Sequence, residues 1–196
     1  MWLKCLSVTL NGKFSGFTLL EQMVVLAIVA ILTTLAAPSL TRLILSSTMS
    51  SNVNTFLADM RYARSESIRR GGGVVMCRSD APEVTNPTCS IGSGPGANGW
   101  VSGWIIFQNS NNDGIHDASE PLLRVQSPIT SMDSIKEEDG TPTPLRFTAT
   151  GRLSSVTPAL RFGGTRYPTD VQRIVCVGLG GRARIASAGA VDCGSP

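Results

Sequence analysis

From Phe17 to Ala37 the chain is apolar apart from Thr18, Glu21, Gln22, Thr33 and Thr34. These 21 residues, wound as a helix, are long enough to cross a bilayer core of about 30 Å. Lys4 and Lys13 lie upstream, and the positive-inside rule assigns that end to the cytoplasm. A cleavable secretory signal would give way to a mature domain after "AAPSL", yet the helical pattern continues. The one carboxylate in the run, Glu21, demands a reason, because an ionised group inside a membrane is costly unless it is paired.

Beyond Pro38, apolar residues recur at Leu40, Leu43, Ile44, Phe56, Leu57, Met60, Ala63 and Ile68, mostly three or four apart, while Arg61, Arg64 and Arg69 fall on other faces. This spacing predicts an amphipathic helix loosened at Pro38 and through "SSTMSSN" and ended at Gly71 to Gly73, where Arg69 and Arg70 suit the helix C-terminal dipole.

Gly16 followed by Phe17-Thr18-Leu19-Leu20-Glu21 and a long apolar helix resembles the type IV prepilin signature of pilins, minor pilins and type II secretion pseudopilins. The resemblance implies cleavage after Gly16 by a prepilin peptidase on the cytoplasmic side and N-methylation of Phe17. It also implies that Glu21 pairs with the N-terminal amine of a neighbouring subunit in a filament. Glu21 is then a register device more than a stabiliser. The leader, containing Trp2, Leu3 and Val8, is longer than the short basic leader usual in the family.

After the glycines come "VVMC", "GWVSGWIIF", "EPLLRVQ", "LRFTATGRL", "LRFGG", "RIVCVG" and "RARIAS", short runs rich in β-branched and aromatic residues between turn residues. A helix followed by an antiparallel β domain is expected. The order of "ARSESIRRGGGVVMC", "GWVSGWIIF", "EPLLR", "RFTATGRL" and "RIVCVGLGGRARIAS" resembles the FimT and GspH proteins over almost the whole chain. The fold class implied is α+β and type IV pilin-like, a long N-terminal helix packed on an antiparallel β-sheet domain. Its expected divisions are a leader at 1–16, a transmembrane helix at 17–37, its amphipathic continuation at 38–70 and a β-rich domain at 71–196. FimT-like minor pilins serve type IV pili and, in some bacteria, DNA uptake, whereas GspH-like pseudopilins serve type II secretion; fold does not separate the two.

Charge is unevenly placed. Between Arg42 and Arg78 there are six basic and two acidic residues, between Asp80 and Thr141 two basic and nine acidic, and after Thr141 seven arginines and two aspartates. The basic ends are candidate surfaces for an anionic partner. In "GGRARIA", a strand from Arg182 would set Arg182 and Arg184 on one face about 7 Å apart, with Ala183 and Ile185 toward the core. Two guanidiniums so placed suit adjacent phosphates. FimT-like DNA-binding pilins carry a similar Gly-Arg-x-Arg, which maps onto Gly181, Arg182 and Arg184. Arg166 and Arg173 would add to a salt-sensitive, non-specific DNA contact; the plainer reading is a solvated strand.

Cys77 and Cys89 bracket a Pro/Ser/Gly-rich loop, Cys176 and Cys193 bracket the C-terminal segment, and Cys5 stands apart. Nearest-neighbour pairing is simplest, although four cysteines allow three pairings. Disulfides fit an exported domain, and one histidine without a C-x-x-C pair disfavours zinc. In "NSNNDGIHDASE", Asn109, Asn111, Asp113, Gly114, Asp117 and Glu120 match a calcium-loop spacing with Asn in the first place, but strands rather than helices flank it. A hairpin turn without metal is the preferred reading, and calcium the alternative cofactor. "GPGANG" has the spacing of a dinucleotide loop but contains Pro95 and leads into a strand, so a loop held by the Cys77 bridge is expected. Trp100 and Trp104, four apart, are expected in the core. No nucleophile and base can be assembled around the lone His116, and no enzyme is expected.

The sequence therefore predicts a single-pass protein of the bacterial inner membrane, its N-terminus cytoplasmic and its globular domain periplasmic. The partners expected are other pilins or pseudopilins, a prepilin peptidase and DNA.

Overall fold

The computed structural model describes residues 16–140, 143–154, 158–186 and 193–194. Cys5 and the leader before Gly16 lie outside them. The chain divides into two compact units, Met1–Arg42 and Leu43–Pro196. Helix α1 spans Leu19–Arg70 and contributes to each.

In the first unit α1 opens on a side-chain cap, the Glu21 amide donating to Thr18 Oγ1 at 3.2 Å. Phe17, Leu19, Leu20, Met23, Leu26, Ile31 and Leu32 are all exposed. By length and composition this helix is able to cross a membrane. Its hydroxyls are not left bare: Thr33 and Thr34 donate to the carbonyls of Ala30 and Ile31 at 3.0 and 2.8 Å, which suits an apolar solvent.

α1 runs as one helix through Pro38 and through Ser46 to Asn52, and hydroxyls in and beside that polar stretch bond back to the helix itself. Ser50 and Thr55 donate to the carbonyls of Ser46 and Ser51 at 2.9 and 3.0 Å. Met49 and Val53 are buried there. In the second unit the buried face of α1 is Met49, Val53, Phe56, Leu57, Met60 and Ala63, whereas Leu43, Ile44 and Ile68, which were expected on the apolar face, are exposed, as is Leu40 in the first unit. The helix stops as predicted: Gly71 takes φ +78° and the Gly72 amide donates to the Ser67 carbonyl at 2.7 Å.

Eight strands follow: β1 (Val74–Arg78), β2 (Trp104–Gln108), β3 (Leu122–Gln126), β4 (Ser134–Glu137), β5 (Leu145–Phe147), β6 (Ala159–Gly163), β7 (Arg173–Gly178) and β8 (Arg182–Ile185). They form two antiparallel four-stranded sheets, ordered β3-β2-β1-β5 and β4-β6-β7-β8. Val74, Met76, Trp104, Ile106, Leu145 and Phe147 of the first sheet, and Ile135, Leu160, Phe162, Val175 and Val177 of the second, join the buried face of α1 in one core. Trp100 lies in a short 3-10 turn rather than on the strand with Trp104, yet both indoles are fully buried. The turn arises because Gly99 and Gly103 bracket Trp100 to Ser102, each with positive φ. Strand β4 has no alternating apolar signature; Ile135 alone carries its core contact.

Each sheet also buries part of its outer face beneath a disulfide. Cys77–Cys89 covers a small cluster with Val75, Ile105 and Phe107, and Cys176–Cys193 covers Ile174 and Ala186. This two-sided burial is why "VVMC", "WIIF" and "RIVCV" read as continuous rather than alternating apolar runs. The buried Arg78 guanidinium ties the loop inside the first bridge to the segment after it, pairing with Asp80 and donating to the Gly92 carbonyl at 2.9 Å.

At the helix end, Arg69 and Arg70 grip Glu66 at 2.6 and 2.7 Å and hold its carboxyl down at about 2 from an ordinary value of 4.5. A depressed carboxyl pKa contributes stability that is in place above about 4.5 and is lost as pH falls through about 2. Titration of the Glu66 side chain by NMR should show a midpoint far below the usual glutamate value, and an ordinary midpoint would mean that neither arginine pair persists in solution.

Candidate functional site

In the first unit, Gly16 has open space where a Cβ would stand, and Phe17 and the start of α1 are exposed. Glu21 occupies the third helical position, with Thr18 as the cap, so its charge also faces the favourable end of the helix dipole.

In the second unit, the four arginines singled out by sequence separate into two kinds. Arg166 Nη2 lies 3.5 Å from Asp133 Oδ1. Arg173 Nη1 donates to the carbonyls of Asp170, Val171 and Gln172 at 2.9, 3.0 and 2.8 Å, bracing the turn before β7. Arg184 Nη2 donates to the carbonyls of Cys193 and Gly194, clamping the end of the second disulfide segment. Arg182 has no such partner among the described residues. The strand expected from Arg182 is present, but Ile185 is 44 % exposed instead of facing the core. β8 is an edge strand, and its Ala183 alone packs against the core.

Arg182 lines a cavity of about 280 Å³ whose other walls are Leu57, Met60, Arg61 and Arg64 of α1, with Gly181 and Ala183. A second hollow, of about 420 Å³, places Arg182 with Arg184 beside Cys176 and Cys193. Arg61 and Arg64 were legible as off-core positions on α1, but nothing in the sequence says which strand lies across from them.

Two facing glycines set this approach. The β7–β8 hairpin closes through Leu179, Gly180 and Gly181, with the Gly181 amide on the Gly178 carbonyl at 2.9 Å and Gly181 at φ +69°. A Cβ on Gly181 would lie 2.0 Å from the Gly151 carbonyl oxygen, and one on Gly151 would lie 2.9 Å from Cγ and Nε of Arg64. The absence of side chains therefore lets β8 come up to the Arg64 stem.

Much of the polar character of the Asn109 to Glu120 loop is spent on bonds within the loop. Asp113 Oδ1 accepts the Ile115 amide at 2.7 Å, Asp117 Oδ1 the Ser119 amide at 2.8 Å, and Glu120 Oε1 the Ser110 amide at 2.6 Å. Asn111 Nδ2 donates to Asp113 Oδ2 at 2.9 Å. The Arg146 guanidinium lies against Gly114 and donates to the Asp113 carbonyl at 3.3 Å, a cation where a calcium loop would need oxygens. Asn109 and Glu120 are buried and each keeps one oxygen without a protein partner, well short of the six to eight ligands calcium takes. Among the described residues no group of three or more His, Cys, Asp or Glu is placed to hold a metal. Both nitrogens of His116 face carbonyls, those of Pro87 at 2.7 Å and Glu120 at 3.2 Å, so the ring ties this turn to the first disulfide loop.

A helix exposed and apolar at its start and core-forming at its end, followed by an antiparallel two-sheet domain, defines a pilin-type subunit. The profile described as Type II transport protein GspH matches residues 52–181. The prokaryotic N-terminal methylation motif matches residues 11–37. The chain belongs to the FimT/GspH family of type IV minor pilins and type II secretion pseudopilins. Its fold resembles that of the Pseudomonas aeruginosa type IV minor pilin FimU in two crystal forms. One matches at 19 % identity and TM-score 0.53, covering 74 % of this chain and 94 % of that one. The other matches at 20 % identity and TM-score 0.51, covering 74 % and 98 %. No curated protein matches the chain.

The paired glycines yield a stability test. Gly181→Ala adds a methyl group in a left-handed conformation and against a carbonyl oxygen, and should cost about 2–4 kcal/mol. Thermal unfolding of the variant checks this; an unchanged midpoint would mean that the hairpin does not abut Gly151.

Proposed function

We propose that the chain is a minor subunit of a type IV pilus-like filament. It is anchored in the bacterial inner membrane by residues 17–37, with its N-terminus cytoplasmic and its globular domain periplasmic. A prepilin peptidase cuts after Gly16 and Phe17 is N-methylated. Glu21 pairs with the N-terminal amine of a neighbouring pilin. The observation that carries this reading is the methylation motif at the head of a capped, exposed apolar helix whose one carboxylate has no partner in its own chain among the described residues. Glu21→Ala should leave processing intact while filament incorporation falls at least tenfold, measured by immunoblot of sheared filaments; normal incorporation refutes the pairing.

Within this reading the filament contacts DNA non-specifically through the basic surface at β8, with Arg182 its unpaired member. FimU, the fold relative, is a type IV minor pilin. Arg184, Arg173 and Arg166 stand on the same basic third of the chain but have acceptors of their own. Full-length protein in neutral detergent should bind duplex DNA at about 50 mM salt and lose most of that binding at about 200 mM. Arg182→Gln should weaken binding about tenfold. The family profile supports a second reading, a GspH-like pseudopilin of type II secretion with no nucleic-acid role, and absence of binding at low salt would select it.

A further inference from the structure

We propose that the cavity between α1 and β8 is a phosphate seat, in which Arg61 and Arg64 from the helix and Arg182 from the strand hold one phosphodiester of a nucleic-acid backbone. This rests on the DNA reading above and moves its centre from the Arg182/Arg184 strand face to the helix.

Three arginines line one hollow, and among the described residues none has a carboxylate or carbonyl partner for its side chain. Like charges gathered in this way repel one another unless an anion enters. The acids of the same helix are already committed. Glu66 is held by Arg69 and Arg70, and Asp59 by Arg124 at 3.0 Å and Trp104 at 2.8 Å. By contrast Arg184, Arg173 and Arg166 spend donors on their own surroundings. The unspent cations on this face are therefore on two elements, not along one strand.

Shape agrees. A volume of about 280 Å³ lies just below the usual range for drug-sized ligands, about 300–1,000 Å³, and suits a phosphate with part of its sugar better than a base pair. Arg61 and Arg64 are three apart and so neighbours on the helix surface. Arg182 lines the same hollow from β8, so arginines come to it from two elements. Arginine's planar fork is the side chain best matched to phosphate oxygens. The Gly151 and Gly181 contacts hold the two walls at their separation without a side chain intruding. Such a seat reads backbone and no sequence.

The test uses full-length protein in neutral detergent micelles and a fluorescent duplex, with anisotropy read at several salt concentrations. Arg61→Gln and Arg64→Gln should each weaken binding about tenfold and reduce the salt slope by about one unit. Arg161→Gln, which removes a charge already paired with Glu138, should change affinity less than about twofold. Arg64→Lys keeps the charge and the stem against Gly151, and should recover part of the loss. Arg61 is exposed, so its variant decides the matter if Arg64→Gln unfolds. Wild-type affinity in Arg61→Gln and Arg64→Gln, with loss in Arg184→Gln, overturns the seat and leaves the DNA reading standing. No binding by the wild type at low salt overturns both; a filament-incorporation defect in the same helix variants would then assign the cavity to an acidic segment of a neighbouring subunit.

Discussion

The globular domain is organised around one side chain. Phe56, fully buried on α1, meets Trp100, Trp104 and Phe162 edge-on at ring-centroid separations of 5.6, 5.4 and 5.6 Å. Trp104 belongs to the first sheet, Phe162 to the second, and Trp100 to the short turn just before β2. Each edge-on contact adds about 0.5–1.5 kcal/mol beyond the apolar burial. A single helical position therefore fixes both sheets to the same helix face. The polar ends of the two indoles are also met: Trp104 by Asp59 of α1 and Trp100 by Glu137 of β4. Burial raises the Asp59 carboxyl, while the Trp104 hydrogen bond and Arg124 pull it back. Its retention is explained by the indole donor it satisfies, since a buried N–H without an acceptor is costly.

Because α1 covers only the inner face of each sheet, the outer faces need another cover. Each receives a loop or terminal segment stapled by a disulfide, Cys77–Cys89 on the first and Cys176–Cys193 on the second. A short segment lacks the apolar area to stay docked by itself, and closing it covalently removes much of its freedom in the unfolded chain. The second staple also gives Arg184 its carbonyl acceptors at Cys193 and Gly194. The cross-link thus removes one arginine from the free basic surface and leaves Arg182 unpaired beside Arg61 and Arg64.

What the sequence shows and what it hides follow the range of each interaction. The helix stop, the strand at Arg182 and the strand runs "VVMC" and "RIVCV" are local, governed by glycine conformations and apolar density. The processing signature is local as well. The buried helix face is shorter than its spacing suggests: Leu43, Ile44 and Ile68 have the right spacing but are exposed, since spacing alone does not say where the packing partner ends. The polar stretch from Ser46 to Asn52 interrupts the apolar spacing in the sequence, yet it is helical, with Met49 buried and the Ser50 hydroxyl bonded back to the Ser46 carbonyl. β4 was silent because a mostly polar strand with one core residue has no period. The arginine cavity was the least legible feature: it joins residues more than a hundred positions apart, through a glycine contact that only the fold brings together.

Glu21 illustrates how the local and the assembled roles of a residue are told apart. A Thr-x-x-Glu pattern at a helix start also describes a capping box, in which the acid exists to satisfy its own helix. Here the bond shown runs from the Glu21 amide to the Thr18 hydroxyl, and that bond uses the backbone of Glu21, which any side chain at that position would keep. What the carboxylate itself gives the isolated helix is its favourable place at the dipole, about 0.3–1 kcal/mol in water. In an apolar medium the ionised group is unfavourable by several times that amount unless a cation meets it. Local helix energetics therefore do not account for a carboxylate in the exposed apolar segment, and the proposed reading supplies a cationic partner from outside the chain. In the proposed filament the neighbour's N-terminal amine is that partner, and pairing at a fixed depth on each helix sets the axial register of successive subunits.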